Sequence, residues 1–119
     1  MNQLFNDPLF NITAIVGGIF FVAGFIMLKF PPTKINYLYG YRTTSSMKNQ
    51  ERWDFAQKYS AKEMMKTGVV LLTVGLLAFI TGYSSLVKPT VGLIVVLLGS
   101  TVILMIRVEK AIKRRFQEQ

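Results

Sequence analysis

Three long runs without a charged residue limit what this 119-residue chain can fold into: Leu9–Leu28, Thr67–Tyr83 and Thr90–Ile106. At about 1.5 Å per residue the first covers roughly 30 Å, the thickness of a bilayer's hydrocarbon core. The other two, of seventeen residues each, stand at the short limit for a span. Burying such a pair inside a water-soluble core would take polar elements that the chain lacks. The expectation is therefore one all-α membrane domain with three transmembrane helices, over about 9–28, 67–83 and 90–106. A polar segment at 29–66 separates the first two, and a basic tail at 107–119 follows the third. Met1–Asp7 carries no Lys or Arg, so it has no basic signal-peptide n-region, and the first run is expected to be a retained span.

Charge gives the orientation. Of fourteen Lys and Arg residues, eight lie in Lys29–Lys66 and five in the tail; Lys88 alone lies between the second and third runs, and none precedes the first. Three spans put the large loop and the tail on one side, and the positive-inside rule makes that side cytoplasmic, with the N-terminus outside. A net charge of +8 placed beside apolar runs suits anionic lipid headgroups, and nucleic-acid binding is not expected. No Asp, Glu, Lys or Arg falls inside a run, so an intramembrane proton relay, channel or pump is not expected either. The chain has no Cys and no His, which removes thiol chemistry, most zinc sites and a histidine base; neither a metal nor a cofactor is expected.

Glycines recur at intervals of seven: Gly17 and Gly24, then Gly68, Gly75 and Gly82, then Gly92 and Gly99. Seven residues is two helical turns, so each span carries small residues along one face, where helix backbones can approach closely. These glycines are the expected helix-packing positions.

The polar segment holds four of the five tyrosines and the single Trp53. Phe30-Pro31-Pro32 should end the first helix. Beyond it Tyr37, Tyr39 and Tyr41 alternate around Gly40, followed by Arg42, whose planar fork of donors suits a carboxylate or phosphate. Two readings stay open: a tyrosine turn offering Arg42 to an anion, or an interfacial aromatic belt with Arg42 tied to a loop carbonyl. Asn49 is placed to cap an interfacial helix over Gln50–Lys66, with Glu51 in its first turn. At 100° per residue Trp53, Ala56, Ser60 and Met64 share one side, with Phe55 and Tyr59 nearly opposite. Asp54 and Lys58 stand in the favourable i, i+4 order. Ser45 and Ser46 have no histidine beside them and the acids Glu51, Asp54 and Glu63 do not pair with a nucleophile, so catalysis is not the leading reading.

Lys34-Ile35-Asn36, Tyr39-Gly40-Tyr41-Arg42-Thr43, Ser46-Met47-Lys48-Asn49, Trp53 and Ala56-Gln57-Lys58, arriving in that order between spans, resemble the signature of the SdpI family of small bacterial membrane proteins. The resemblance covers about Pro31–Lys62. It implies a multi-pass protein of the bacterial cytoplasmic membrane. The family's founding member protects against a secreted toxic peptide and captures a repressor at the membrane. By that resemblance Asn36, Tyr39, Gly40, Tyr41, Arg42, Thr43, Asn49 and Trp53 are the candidate ligand- or partner-binding residues. The partner would be a toxin peptide, a cytoplasmic protein or an anionic headgroup, and whether the chain forms a homo-oligomer stays open. Competing readings are a small enzyme or binding protein acting on lipid headgroups, and an accessory subunit of a membrane complex. A toxin arriving from outside would not first meet a cytoplasmic loop, which favours an indirect role for it.

Overall fold

Asp7 starts the first long helix. Its carboxylate accepts from the Phe10 N–H at 2.9 Å, and Pro8 fills the first helical position, where no N–H is needed. In the computed structural model, which describes residues 2–117, a short α1 (Asn2–Phe5) precedes α2 (Pro8–Lys29). Met1 and the last two residues of the tail lie outside the described residues. Phe30 closes α2 by donating to the Ile26 carbonyl at 2.7 Å, just before the two prolines. After a loop of bends and turns, α3 (Gln50–Thr81) begins at the Asn49 cap, whose side chain accepts from the Arg52 N–H at 2.9 Å.

The helix expected over Gln50–Lys66 and the second span form a single rod. Its 32 residues cover about 48 Å, close to the molecule's longest dimension of 50 Å. No proline interrupts residues 50–81, so the change from polar to apolar side chains at Lys66–Thr67 leaves the backbone ladder intact. A 3₁₀ turn (Tyr83–Leu86) leads to α4 (Pro89–Arg115), which carries the third span and the basic extension as one helix. Ser84 donates to the Asp7 carboxylate at 2.9 Å, fixing the start of α2 to the α3–α4 turn at one end of the bundle. The motif loop and the end of α4 lie at the other.

Between the ends, large aliphatic side chains face outward. Ile19, Val74 and Ile103 are each more than half exposed, whereas α2 and α3 approach each other most closely at glycines. Gly17 meets Gly68: a Cβ on Gly17 would stand 2.8 Å from the Gly68 carbonyl oxygen, and one on Gly68 would strike the Gly17 carbonyl. Gly24 faces the Ala61 carbonyl, 2.5 Å from where its Cβ would be, Gly75 faces Thr13, and Gly92 faces Leu9. Apolar groups outside and backbone contact inside are what hydrocarbon as solvent selects.

Two glycines of the series stand elsewhere. Gly82 terminates α3 in the left-handed conformation (φ 85°), and Gly99 looks into open space between α3 and α4. A seven-residue repeat keeps a face only while the helix lasts, and α3 ends at Thr81.

The best-enclosed core starts at the loop-side end of the spans and continues past them. Ala56 of α3 packs with Leu104, Val108, Ile112 and Phe116 from α4 and the residue following it, with Tyr41, Phe55 and Tyr59 against them.

Candidate functional site: a braced motif loop

Local hydrogen bonds shape the first half of the loop. Asn36 accepts from the Leu38 and Tyr39 N–H groups at 2.9 and 2.7 Å and donates to the Lys34 carbonyl at 2.9 Å, an Asx turn. Tyr39 donates its hydroxyl back to the Phe30 carbonyl at 2.8 Å, and the Arg42 guanidinium donates to the Tyr37 carbonyl. Of the three alternating tyrosines, Tyr37 is the one that stands outward, 81% exposed beside Leu38 at 93%.

Gly40 is where the loop meets α3. Its φ of 112° lies in the region that side chains rarely adopt, and a Cβ there would come within 2.5 Å of Gln57 Oε1 and 2.8 Å of Pro32 Cγ. This close approach lets the Gln57 amide dock on the Tyr41 peptide. Tyr41 N–H donates to Gln57 Oε1 at 2.6 Å, and Gln57 Nε2 donates to the Tyr41 carbonyl at 2.7 Å. Gln57 is buried, so both of its polar atoms need such partners. One turn earlier on α3, fully enclosed Trp53 donates Nε1–H to the Pro32 carbonyl at 2.7 Å. Gln50 donates to the Thr33 carbonyl and to Asp54, each at 2.7 Å.

The second half of the loop converges on Glu109 of α4. Its carboxylate accepts three hydroxyl hydrogens: Tyr41 at 2.8 Å, Thr43 at 3.0 Å and Ser45 at 2.9 Å. Buried Ser46 fixes the turn that aims them. Its hydroxyl accepts from Thr43 N–H at 2.9 Å and reaches the Tyr41 and Thr43 carbonyls at 3.1 Å, while its own N–H donates to Thr43 Oγ1 at 3.2 Å. Burial, and secondarily the Glu109 carboxylate that its hydroxyl serves, push the Tyr41 phenol's pKa upward, so the neutral donor form is the one held.

The first half of α3 packs on both of its faces. Trp53, Ala56 and Ser60 are fully buried. Phe55 and Tyr59 stack at 5.5 Å between ring centroids, with Phe116 edge-on to Phe55 at 5.7 Å. Arg52 lies over the Phe116 ring at 5.5 Å and donates to its carbonyl at 3.4 Å. Further along, Glu63 takes Arg107 Nε at 2.9 Å and Nη2 at 3.2 Å.

All eight residues expected from the sequence lie in or beside this loop, and Tyr41, Thr43 and Trp53 are drawn into its bracing. Asn49 acts as the helix cap. Gln57, Ser45, Ser46 and Glu109, which complete the brace, were not among the eight. Gln57 and Ser46 lay inside the quoted motif segments, and Glu109 was legible only as a lone acid in a basic run.

A family model described as the SdpI/YfhL protein family matches residues 33–108. The chain is also similar to the uncharacterized protein YfhL of Bacillus subtilis (strain 168), with 46% identity over 61 residues, 51% of this chain and 56% of the relative. The chain thus matches little more than half the relative's length. No solved structure matches.

Proposed function

The chain belongs to the SdpI/YfhL protein family, and on that premise we propose that it is a toxin-immunity or envelope-stress protein that acts by binding and not by catalysis. Its loop and basic tail lie on the cytoplasmic face of the bacterial inner membrane in this reading, which rests on thirteen of fourteen basic residues flanking the spans at that end. The observation that carries the binding mechanism is the triple convergence of Tyr41, Thr43 and Ser45 on Glu109. The motif's polar groups are committed to holding the loop across α3 and α4, which suits a rigid platform better than a reacting centre. A platform tied to two spans passes any change in their packing to the loop, so a toxin perturbing the bundle from outside need not touch the motif. Tyr37 and Leu38, presented at the loop tip, are the surface offered to a cytoplasmic partner.

The test is expression in a toxin-sensitive bacterial host challenged with secreted antimicrobial peptides. Wild-type chain should raise survival against at least one peptide, and an inserted Glu109→Ala variant should not. Protection by Glu109→Ala equal to wild type would remove the brace from the mechanism. An inserted wild-type chain that protects against none would remove the immunity reading itself.

A further inference from the structure

An apolar groove opens on the surface of the spans. It runs between α3 and α4, holds about 550 Å³, and is lined by Val70, Leu71, Val95, Val96, Gly99 and Ile103. From Val95 to Arg107 is twelve residues, roughly 18 Å of helix, about one leaflet of a hydrocarbon core roughly 30 Å thick. The mouth lies at the loop-side end of the spans, where the uncharged stretches stop.

Three charges meet at that mouth. Glu63 is 4% exposed and is held by Arg107 through two nitrogens, while Lys66 Nζ stands 3.8 Å away, outside hydrogen-bond reach. The acid is matched by Arg107, so Lys66 is the excess positive charge. The Lys66 and Arg107 side chains are 69% and 53% exposed, and Arg107 keeps Nη1 for another acceptor. The buried acid thus fixes one cation, and a second stands beside it, at the head of an apolar slot one leaflet deep.

We propose that this groove binds an anionic glycerophospholipid of the loop-side leaflet, with one acyl chain between α3 and α4 and the phosphate on Lys66 and Arg107. A lipid supplies both halves of the match: a chain for the slot and a negative group at interfacial depth for the cations. A second copy of this protein fits worse, since its own loop-side end carries the same excess of Lys and Arg and would bring like charge to the mouth. The site stands independently of the immunity reading.

Gly99 suits the test, because a Cβ built there meets nothing within 4 Å; Gly99→Leu adds a side chain where the backbone faces open space. The full chain in detergent is offered phosphatidylglycerol and phosphatidylcholine of identical chains, and bound lipid is read by native mass spectrometry. Wild type should retain phosphatidylglycerol about fivefold better, the preference expected for one surface cation. Lys66→Gln should lose most of that preference, and Gly99→Leu should lose the bound lipid with an unfolding midpoint no lower than wild type, since leucine in mid-helix is favoured over glycine. Equal retention of the two lipids by wild type would overturn the proposal, as would undiminished phosphatidylglycerol on Gly99→Leu. A dimer peak abolished by Gly99→Leu, with no lipid preference, would make the groove an interface between copies instead.

Discussion

Tyr41 and Glu109, 68 residues apart, are joined by a 2.8 Å hydrogen bond that couples the motif loop to the extension of α4 past the third span. Thr43 and Ser45 add two more donors to the same carboxylate, and bonds to an ionised acceptor are the stronger kind. Removing the phenol hydroxyl with Tyr41→Phe should cost about 1.5–3 kcal/mol. Glu109→Ala should cost more, since three half-buried hydroxyls lose their acceptor together. In the Glu109→Ala background Tyr41→Phe should cost almost nothing further. Unfolding of the four proteins in detergent measures this coupling, and additive effects would show that the bond contributes little.

The same bond sets an alkaline limit. Burial and Glu109 raise the Tyr41 pKa above the ordinary tyrosine value of about 10. A group whose folded pKa is raised stabilises the fold fully below its unfolded pKa. That contribution fades as pH climbs from about 10 toward the folded value. Ultraviolet titration should therefore show a phenolate component above the usual range that Tyr41→Phe removes, and wild-type stability should decline through the same window. A titration identical in the two proteins would contradict the buried donor.

Glycine position decides how much a side chain costs. Gly68→Val drives a branched side chain into the Gly17 carbonyl and Phe21 and should cost about 3 kcal/mol or more, or prevent assembly of α2 on α3. Gly82→Ala meets no neighbour and pays only for its left-handed backbone, about 1–2 kcal/mol. Detergent unfolding midpoints should rank wild type, Gly82→Ala and Gly68→Val in that order. Equal losses at the two sites would mean that α2 and α3 do not pack through Gly68.

The three spans, the proline stop at Phe30–Pro32, the Asn49 cap and the basic helical tail were legible because each is written locally, in runs, caps and breakers. The continuity of α3 was not. Charge density changes at Lys66–Thr67, and a change of solvent reads like a change of element although the backbone needs no break there. The loop was harder still. Tyr41 looked like its neighbours Tyr37 and Tyr39, and only the fold separates an outward ring, a ring bonded to Phe30 and a phenol aimed at α4. Glu109 could not be found from the motif, because its partners lie more than sixty residues away and sequence spacing says nothing about contacts made by packing.

Trp53 offers an internal report on whether the loop is seated. It is the only tryptophan, fully enclosed, and its indole N–H is spent on the Pro32 carbonyl at 2.7 Å. Gly40→Val should unseat the loop, because a branched residue disfavours a φ of 112° and its Cβ would crowd both Gln57 and Pro32. Pro32 would then withdraw from the indole and water would reach it. The wild-type protein should show blue-shifted emission that acrylamide quenches poorly. The variant should shift to the red and quench several-fold more readily while far-UV circular dichroism keeps its helical amplitude, since α2, α3 and α4 do not depend on the loop for their backbone bonds. Emission and quenching unchanged in Gly40→Val would show that Trp53 is shielded by the helices alone and that the loop is not its cover.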